Sequence, residues 1–391
     1  MTQEPTAGTT RTGGTTEVVG NLVLDERVAA GRIRIEDGRI TAVELDEPGR
    51  AGGPAAPFVA PGFVDVHVHG GGGHDAMGDR AALDGMARHL LRHGVTSFLP
   101  TAVAAPIEDL VAFAERVRGW LPDAPADGAD PLGFNLEGPF LAAARRGAHD
   151  PAHLRVPADV PRAALEPLVE GLRVITIAPE LPGALDLIGW LRERGVATSV
   201  GHPAATVEEA ARGYRAGGTT TTHLFNAMTG VDHRAPGLAV AALLDDSAYV
   251  ELIADGIHVD RALWPLITRL KPADRLLLVS DAIALAGMGD GRGVVGGLAI
   301  EVSGGRVTLV GTSTLAGSVL TLDVAVRHLV EAGTSLPAAV AASSRNPLAM
   351  LGMGDRGRIA AGQRADLVEL DADLRLRRVM RAGRWMGAGA A

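Results

Sequence analysis

Eight short apolar segments, separated by longer segments of helical period, constrain the fold of this chain most strongly. Each apolar segment has the length of a buried strand, and intervening segments such as Ala81–His93 and Thr206–Ala216 repeat apolar residues with a helical period. Strands that alternate with helices predict a parallel sheet, and eight of them favour a (β/α)8 TIM-like barrel over an open sheet. The segments are Val64–Val68, Val95–Leu99, Leu132–Leu136, Val174–Ile177, Ala197–Val200, Thr219–His223, Val250–Ile253 and Leu276–Val279.

The two ends of the chain have a different pattern, in which short strands are joined by turns. Asp37 and Gly38 form a hairpin turn signal between two strand-like segments, and the chain returns to strands and turns from residue 357 onward. This pattern predicts a small β-sandwich domain made of residues 17–57 plus 352–391, beside a barrel made of residues 58–351. Residues 1–16 are expected to be a flexible tail, and Leu336–Leu351 is expected to be one helix.

The first apolar segment carries an Asp-x-His-x-His pattern that begins at Asp65. Its valines alternate with polar residues, so they face one side of a strand while His67 and His69 face the other. Two imidazoles on one face can bind the same ion, and neutral imidazole is the commonest protein ligand for zinc-like metals. Taken alone, the pair is as compatible with two surface histidines on an edge strand as with a metal site.

Four other metal-capable side chains follow apolar segments further along the chain. In a (β/α)8 barrel the chemistry gathers at the carboxyl ends of the strands. With His67 and His69, these side chains put four histidines and two acids at five strand ends, which packing alone does not explain. The sequence therefore predicts a divalent metal site. The four side chains are Glu137, His202, His223 and Asp281.

The donor types limit which metal binds and what it does. Nitrogen and oxygen donors without sulfur suit zinc, iron, manganese or cobalt and do not separate these metals; zinc is our first expectation among them. An incompletely ligated ion lowers the pKa of its water to about 7 and makes hydroxide available. Asp281 is predicted to take up and return the proton, with a structural metal ligand as the alternative role. Lys271, the only lysine, lies in a helix-to-strand connection, so we expect no carboxylated-lysine centre.

Composition argues against several other classes of function. The formal net charge of -9 argues against a nucleic-acid partner. No run of 18 apolar residues is present, so we expect no membrane span. The chain has no cysteine, which excludes disulfides and thiolate chemistry and fits the cytoplasmic location that we expect.

Ten short motifs, spread between about Val18 and Met386, occur together in this chain. They are Pro61–Gly70, Asn135–Phe140, Gly147–His149, Ala178–Glu180, Gly201–His202, Thr222–Met228, Ala254–Asp260, Ser280–Ala282, Leu315–Ser318 and Gly357–Val368. In this combination the chain resembles the N-acetylglucosamine-6-phosphate deacetylase family of the amidohydrolase superfamily. The resemblance implies metal-dependent hydrolysis of N-acetyl-D-glucosamine 6-phosphate to D-glucosamine 6-phosphate and acetate, in which hydroxide held at the metal attacks the acetyl carbonyl.

The resemblance also implies roles for individual metal ligands. Glu137, His202 and His223 match the main ligands of the family. His67 and His69 match a second metal position that some members of the family lack. Their presence makes two ions per subunit compatible with this chain.

Catalytic and substrate-binding roles follow from the same resemblance. Asp281 matches the catalytic acid/base, and His149 matches a residue that contacts the acetyl carbonyl. The family also implies a homodimer whose phosphate contacts reach across the subunit interface. The residues that match substrate and phosphate contacts are Ala148, Asn226, Ala227, Arg234, His258, Leu315, Ala316 and Gly317.

Two other functions stay open at this point. A related amidohydrolase could deacylate N-acetylgalactosamine 6-phosphate or an N-acyl amino acid at the same metal site. A metal-binding scaffold without activity is the alternative from another class, and Asp281 beside the ligand set argues against it, because a silent barrel needs no acid/base.

Overall fold

The computed structural model describes residues 9–12, 14–47 and 56–386. Within the predicted tail, residues 9–12 form a strand, whereas residues 1–8 lie outside the described part. The strands are β1 (Thr9–Thr12), β2 (Thr15–Val23), β3 (Val28–Glu36), β4 (Arg39–Leu45), β5 (Phe58–Pro61), β6 (Phe63–Val68), β7 (Gly70–Gly71), β8 (His74–Asp75), β9 (Val95–Ala102), β10 (Asp130–Pro131), β11 (Phe134–Phe140), β12 (Leu172–Ile177), β13 (Ala197–Val200), β14 (Gly218–Thr221), β15 (Val250–Leu252), β16 (Leu276–Leu278), β17 (Gly291–Val295), β18 (Leu298–Ser303), β19 (Arg306–Leu309), β20 (Leu367–Leu370), β21 (Leu376–Arg381) and β22 (Arg384–Trp385).

The helices lie mostly between successive strands of the central sheet. Helix α5 begins with a capping box, because the Thr206 hydroxyl accepts from the Glu209 amide and the Glu209 carboxylate accepts from the Thr206 amide. The helices are α1 (Arg80–Arg92), α2 (Ile107–Trp120), α3 (Arg162–Val169), α4 (Ala184–Glu193), α5 (Val207–Ala216), α6 (Leu238–Leu244), α7 (Trp264–Leu270), α8 (Leu322–Glu331), α9 (Leu336–Ala342) and α10 (Arg345–Met350). In the described part of the chain, no helix is both long and apolar enough to span a bilayer.

The expectation of one helix over Leu336–Leu351 is wrong, because the segment divides into α9 and α10. The hydroxyls of Ser343 and Ser344 both donate to the Val340 carbonyl, and such bonds compete with the helical ladder. The Ser343 carbonyl accepts instead from the Val64 amide of β6. The interruption therefore attaches the last helices to the first barrel strand.

Eight parallel strands form a closed barrel, which confirms the predicted fold class. Strands β6, β9, β11, β12, β13 and β14 pair in this order, and β15 pairs with β16. Between the two groups, the Leu224 amide donates to the Glu251 carbonyl at 2.9 Å, and the Asp281 amide donates to the His67 carbonyl at 2.9 Å. These two bonds close the ring on both sides of the β15–β16 pair, so all eight carboxyl ends face one opening.

A separate eight-stranded sheet joins the two ends of the chain. Its order is β22-β21-β20-β5-β2-β3-β4, with β1 on β2, so strands from both chain ends meet at β5. The turn at Asp37 and Gly38 joins β3 to β4, as the sequence predicts. The sheet has its own buried cluster, which includes Val18, Ile33 and Leu367. The division of the chain into the domain ranges given above stays a prediction.

One carboxylate attaches the C-terminal segment to the barrel. Asp130, in β10, lies 2.6 Å from Arg356, 3.0 Å from Arg381 and in contact with Arg364. The three arginines come from the segment that follows α10 and from β21. Arg356 and Arg364 have second partners in Asp355 and Asp366, but removal of the Asp130 charge takes away the one carboxylate that all three arginines share.

Asp130→Asn is therefore expected to lower the free energy of unfolding at pH 7 by about 2–4 kcal/mol, measured by urea unfolding. Burial raises the pKa of Asp130, but Arg364 and Arg356 outweigh it and hold that pKa below the ordinary 3.8. A carboxylate with a depressed folded-state pKa stabilises above its unfolded pKa and loses this effect as the pH falls through the folded value. The difference between wild type and variant should therefore persist from pH 7 to pH 5 and shrink below about pH 4.

The matched control is Glu166→Gln, which removes an exposed ion pair with Arg194. Exposed pairs contribute little, so we expect a change within about 0.5 kcal/mol. Equal destabilisation by the two substitutions would contradict the anchoring role of Asp130.

Candidate metal centre

The predicted metal-capable residues converge at the carboxyl ends of the barrel strands. His67 lies in β6 and Glu137 in β11, while the others follow β6, β13, β14 and β16 directly. His149 comes from the loop between β11 and α3 and joins the same group. All seven side chains are buried: His67, His69, Glu137, His149, His202, His223 and Asp281.

The tightest part of the group has three members. Glu137 Oε1 lies 3.0 Å from His202 Nε2 and 2.9 Å from His223 Nε2. The two imidazole nitrogens are 3.1 Å apart. Three donor atoms from three different strands therefore face one point, as expected for the main ligands.

The second carboxylate oxygen of Glu137 faces the histidines of β6. Glu137 Oε2 lies 3.2 Å from His69 Nε2 and 3.7 Å from His67 Nε2. Asp281 Oδ1 lies 3.1 Å from His69 Nε2 and 3.6 Å from His67 Nε2. Glu137 is thus shared between two neighbouring groups of donors, one with His202 and His223 and the other with His67, His69 and Asp281.

Hydrogen bonds on the far side of two imidazoles determine which of their nitrogens is free. His202 Nδ1 donates to the Arg145 carbonyl at 2.7 Å, and His69 Nδ1 donates to the Thr101 carbonyl at 3.0 Å. A proton on Nδ1 leaves Nε2 with its lone pair toward the centre of the group, as metal-binding histidines require. His202 and His69 are therefore oriented as ligands.

His149 has the opposite arrangement. The Ala104 amide donates to His149 Nδ1 at 3.2 Å, so this nitrogen carries the lone pair. In the neutral ring the proton then lies on Nε2, which is 3.2 Å from Glu137 Oε2. His149 is therefore a hydrogen-bond donor toward the site, although its position alone would also suit a ligand.

Glu251, which the sequence interpretation did not select, supports two of the ligands. Its carboxylate lies 2.9 Å from His67 Nδ1 and accepts from the His223 amide at 3.1 Å. A carboxylate behind a histidine fixes the tautomer and raises the basicity of the ligand. An acidic residue inside the apolar strand β15 is the sequence signal that would have identified it.

Asp65, the first residue of the Asp-x-His-x-His pattern, connects the first barrel strand to the last. Its carboxylate accepts from the Ser280 hydroxyl at 2.5 Å and from the His67 amide at 3.2 Å. Ser280 immediately precedes Asp281. Asp65 therefore holds the two strand ends at which His67 and Asp281 lie.

The chemistry of the donors fits a divalent cation. His67 Nε2 is buried and has no hydrogen-bond partner among the described residues, although it points toward Glu137 and Asp281. Burial of an unpaired polar atom is costly, and a bound cation would satisfy it. Imidazole nitrogens with carboxylate oxygens are the donor set of zinc and similar first-row metals.

The charges in the group are balanced between acids and imidazoles. Burial raises the pKa of Glu137, but the surrounding histidines outweigh it and hold the pKa well below the ordinary value. Burial lowers the pKa of His69, but its bonds to Asp281 and Glu137 raise the pKa to about 9. Carboxylates that attract protons to neighbouring imidazoles also attract a metal cation, whose binding displaces those protons.

The backbone is constrained where three of these residues leave their strands. His202, His223 and Asp281 have φ values of 52°, 26° and 51°, in the region that side chains rarely adopt. Each such residue costs on the order of 1–3 kcal/mol and persists only where the surrounding structure enforces it. The left-handed backbone at these three positions turns the side chains from the barrel wall toward Glu137. The conformational cost is therefore linked to the placement of functional groups.

A cavity of about 350 Å³ opens above this group. Seven of the eight predicted substrate-binding residues line it, and Arg145 lines it as well although no prediction included it. Arg234, by contrast, lies in the exposed segment between β14 and α6 and does not line it. The seven residues are Ala148, Asn226, Ala227, His258, Leu315, Ala316 and Gly317.

Lys271 lies away from the metal-capable group. Its ammonium donates to the carbonyls of Ala242, at 3.0 Å, and Asp245, at 2.5 Å, which lie at the end of α6. Cationic groups stabilise the last carbonyls of a helix. The only lysine therefore caps a helix, in agreement with the expectation of a centre without carboxylated lysine.

Comparison with known proteins identifies the family. The model described as "Amidohydrolase family" matches residues 58–386. The chain belongs to the amidohydrolase family. This amidohydrolase is 38% identical over 360 residues to the N-acetylgalactosamine-6-phosphate deacetylase of Escherichia coli O157:H7, covering 89% of this chain and 92% of that protein. It is 37% identical over 375 residues to the N-acetylglucosamine-6-phosphate deacetylase of Homo sapiens, covering 91% and 87%.

Solved structures agree with the sequence relatives. A variant of the Mycobacterium smegmatis N-acetyl-D-glucosamine-6-phosphate deacetylase, in complex with N-acetyl-D-glucosamine 6-phosphate, superposes with a TM-score of 0.88 at 35% identity, covering 96% of this chain and 100% of that chain. The Thermotoga maritima N-acetylglucosamine-6-phosphate deacetylase gives 0.87 at 34% identity, covering 95% and 99%. The resemblance to deacetylases of the amidohydrolase superfamily is confirmed.

Glu251→Gln tests whether this buried carboxylate supports the ligands. We expect an intact fold and a metal affinity lowered by about 10- to 100-fold, because His67 and His223 lose their charged partner. The measurement is elemental analysis after dialysis against a series of chelator concentrations. Glu331→Gln, at an exposed position paired with Arg261, is the control and should retain metal like the wild type. Identical retention by both variants would exclude the supporting role.

Proposed function

We propose that this amidohydrolase removes the acetyl group from N-acetyl-D-glucosamine 6-phosphate and releases D-glucosamine 6-phosphate and acetate. The observation that carries the proposal is the group formed by Glu137, His202 and His223 at the base of a cavity, with Asp281 beside it. The relatives and solved structures compared above, at 34–38% identity over most of the chain, are named as deacetylases of N-acetylated sugar phosphates.

A divalent metal is required for this reaction in our proposal. Glu137, His202 and His223 would hold the principal ion, and His67 and His69 would hold a second one. Such a cation, when bound, lowers the pKa of water and polarises a carbonyl oxygen.

His149 would bind the oxygen of the acetyl carbonyl. The Ala104 amide holds its Nδ1 as an acceptor, so Nε2–H is a donor at the base of the cavity, beside Glu137 Oε2. A positioned donor stabilises the negative charge that develops on this oxygen during attack. The same tautomer makes His149 unsuitable as an Nε2 ligand, which supports the catalytic role over the metal-binding one.

Asp281 would transfer the proton. Burial raises the pKa of Asp281, but its hydrogen bond to His69 and the nearby histidine charges lower the pKa overall, so the carboxylate is ionised. Its Oδ1 can accept a proton from the attacking water and return it to the departing amine nitrogen. The tight connection of the strand end through Ser280 to Asp65 fixes the direction of this carboxylate.

Phosphate recognition would use the polar side of the cavity. Asn226 and His258 line it, and His258 Nδ1 donates to Asp255 at 2.7 Å, which fixes the ring. Arg145 also lines it, and its guanidinium has no hydrogen bond or ion pair with other described residues. An arginine fork matches phosphate geometry. Arg234 would reach a phosphate only from a partner subunit, because in its own chain it lies outside the cavity.

The finer properties are part of the same proposal. We propose zinc as the metal, since it suits four-coordinate nitrogen and oxygen sites, with iron, manganese and cobalt as the other candidates. We also propose a homodimer, which would give Arg234 access to a neighbouring cavity, and a cytoplasmic location, which fits a chain without cysteine.

The second candidate substrate is N-acetylgalactosamine 6-phosphate. The specific reason is the 38% identity to the Escherichia coli O157:H7 enzyme named for that substrate, equal to the identity with the Danio rerio N-acetylglucosamine-6-phosphate deacetylase. The two sugars differ only in the direction of one hydroxyl. Rates of acetate release from the two sugar phosphates, measured side by side with purified protein of known metal content, decide between them.

Asp281→Asn is expected to retain metal but to lose roughly two to four orders of magnitude in turnover, because the amide has similar size and cannot accept the proton. Acetate release and elemental analysis of the same preparation measure both properties. Asp109→Asn, at an exposed position on α2, is the control and should match the wild type. Loss of metal from Asp281→Asn would show that Asp281 is first of all a ligand.

Arg145→Gln is expected to lower kcat/KM for the phosphorylated sugar by about 10- to 100-fold, the value of a hydrogen bond to a charged group. Hydrolysis of N-acetylglucosamine without phosphate should change little. Arg145→Lys keeps the charge and should recover part of the loss, while Arg234→Ala tests the residue predicted from sequence. Equal wild-type activity with and without phosphate would contradict a phosphate site altogether.

A further inference from the structure

The cavity has two chemically different sides. Arg145, Asn226 and His258 supply polar groups on one side. On the other side, Val103 follows β9, Ile283 lies just beyond β16, and Val295 ends β17. We refer to Val103, Ile283 and Val295 as the apolar wall.

The apolar wall is a packed structure rather than a chance exposure of side chains. Its three residues are 9%, 2% and 7% exposed and belong to one cluster with the buried residues of the β17–β19 sheet. The turn at Gly296 and Gly297 brings the tip of this sheet onto Val103, since a Cβ added to Gly296 would lie only 2.9 Å from Val103 Cγ2. Close packing therefore fixes the distance between Val103 and the tip of the β17–β19 sheet.

The apolar wall also adjoins the groups that carry out the reaction. A Cβ added to Gly317 would lie 2.7 Å from Ile283 Cγ2 and 4.0 Å from Asp281 Oδ1. The Cγ2 methyl of Ile283 and the carboxylate of Asp281, the proposed proton carrier, therefore both lie next to Gly317. Val103 directly precedes Ala104, whose amide orients His149. Whatever touches the apolar wall is thus within reach of both Asp281 and His149.

The substrate has a matching asymmetry. Its sugar hydroxyls and phosphate are polar, and its one wholly apolar group is the methyl of the acetyl group, next to the carbonyl under attack. We propose that the apolar wall binds this methyl group and limits the length of the acyl chain that the enzyme removes. The inference rests on the proposed deacetylase function and adds the residues that select the acyl group. Phosphate on the polar side and methyl on the apolar side then orient the carbonyl between His149 and Asp281.

The test compares N-acetyl-, N-propionyl- and N-butyryl-glucosamine 6-phosphate as substrates of the metal-loaded enzyme. The wild type should prefer acetyl, since each additional methylene must enter a packed wall. Val295→Ala and Val103→Ala should each raise the ratio of kcat/KM for butyryl over acetyl by about tenfold or more, the usual range for one or two carbons in an apolar pocket.

Val294→Ala is the matched control, because Val294 is the same residue type in the same strand but is 60% exposed. Neighbouring residues of a strand face opposite sides, so its substitution should leave the ratio within about twofold of the wild type. An unchanged ratio in both Val295→Ala and Val103→Ala, with acetate release retained, would overturn the inference while leaving the deacetylase function intact. An equal shift in Val294→Ala would overturn it as well. No acyl release from any substrate by the wild type would instead refute the proposed function itself.

Discussion

The burial of the Glu137 carboxylate is the constraint on which the rest of the site depends. A buried charge is tolerated only when opposite charge or hydrogen bonds surround it, and Glu137 has imidazole nitrogens near both oxygens. These imidazoles come from β6, from the loop after β11 and from the ends of β13 and β14. One carboxylate is therefore surrounded by side chains from several strand ends. The closed barrel brings these strand ends to the same opening.

The support around the ligands decides what each histidine can do. A backbone carbonyl behind His202 leaves Nε2 free to bind a cation, whereas a backbone amide behind His149 places a proton on Nε2. Two chemically identical side chains, each about 3 Å from Glu137, thus differ in function because of a main-chain group on the opposite side of the ring. Position alone would have assigned both of them to the metal.

The sequence predicts those parts of the molecule whose structure follows from a pattern of neighbouring residues. Apolar segments that end in His, Glu or Asp predicted the barrel and six side chains at its strand ends, and the family resemblance added His149. The structure brings these seven side chains together. Glu251 was missed because its function depends on β15 lying beside His67, a contact between residues distant in the chain. The break between α9 and α10 was missed because it depends on the Ser343 carbonyl binding β6. Arg145 was missed because lining a cavity is a property of the folded loop, and the family resemblance assigned Arg234 instead.

The asymmetry of the cavity connects the barrel to the segment inserted after its last strand. In the proposed function, the barrel supplies the metal ligands, the proton carrier and the polar contacts to the substrate. The β17–β19 sheet adds Val295, which lies in one cluster with Val103 and lines the side of the cavity where we propose that the acyl group binds. Because interiors packed this closely do not expand at low cost, a small insertion can determine which amide is cleaved without contacting the metal. Chemistry and acyl selection would then reside in different parts of the chain and could change independently of each other.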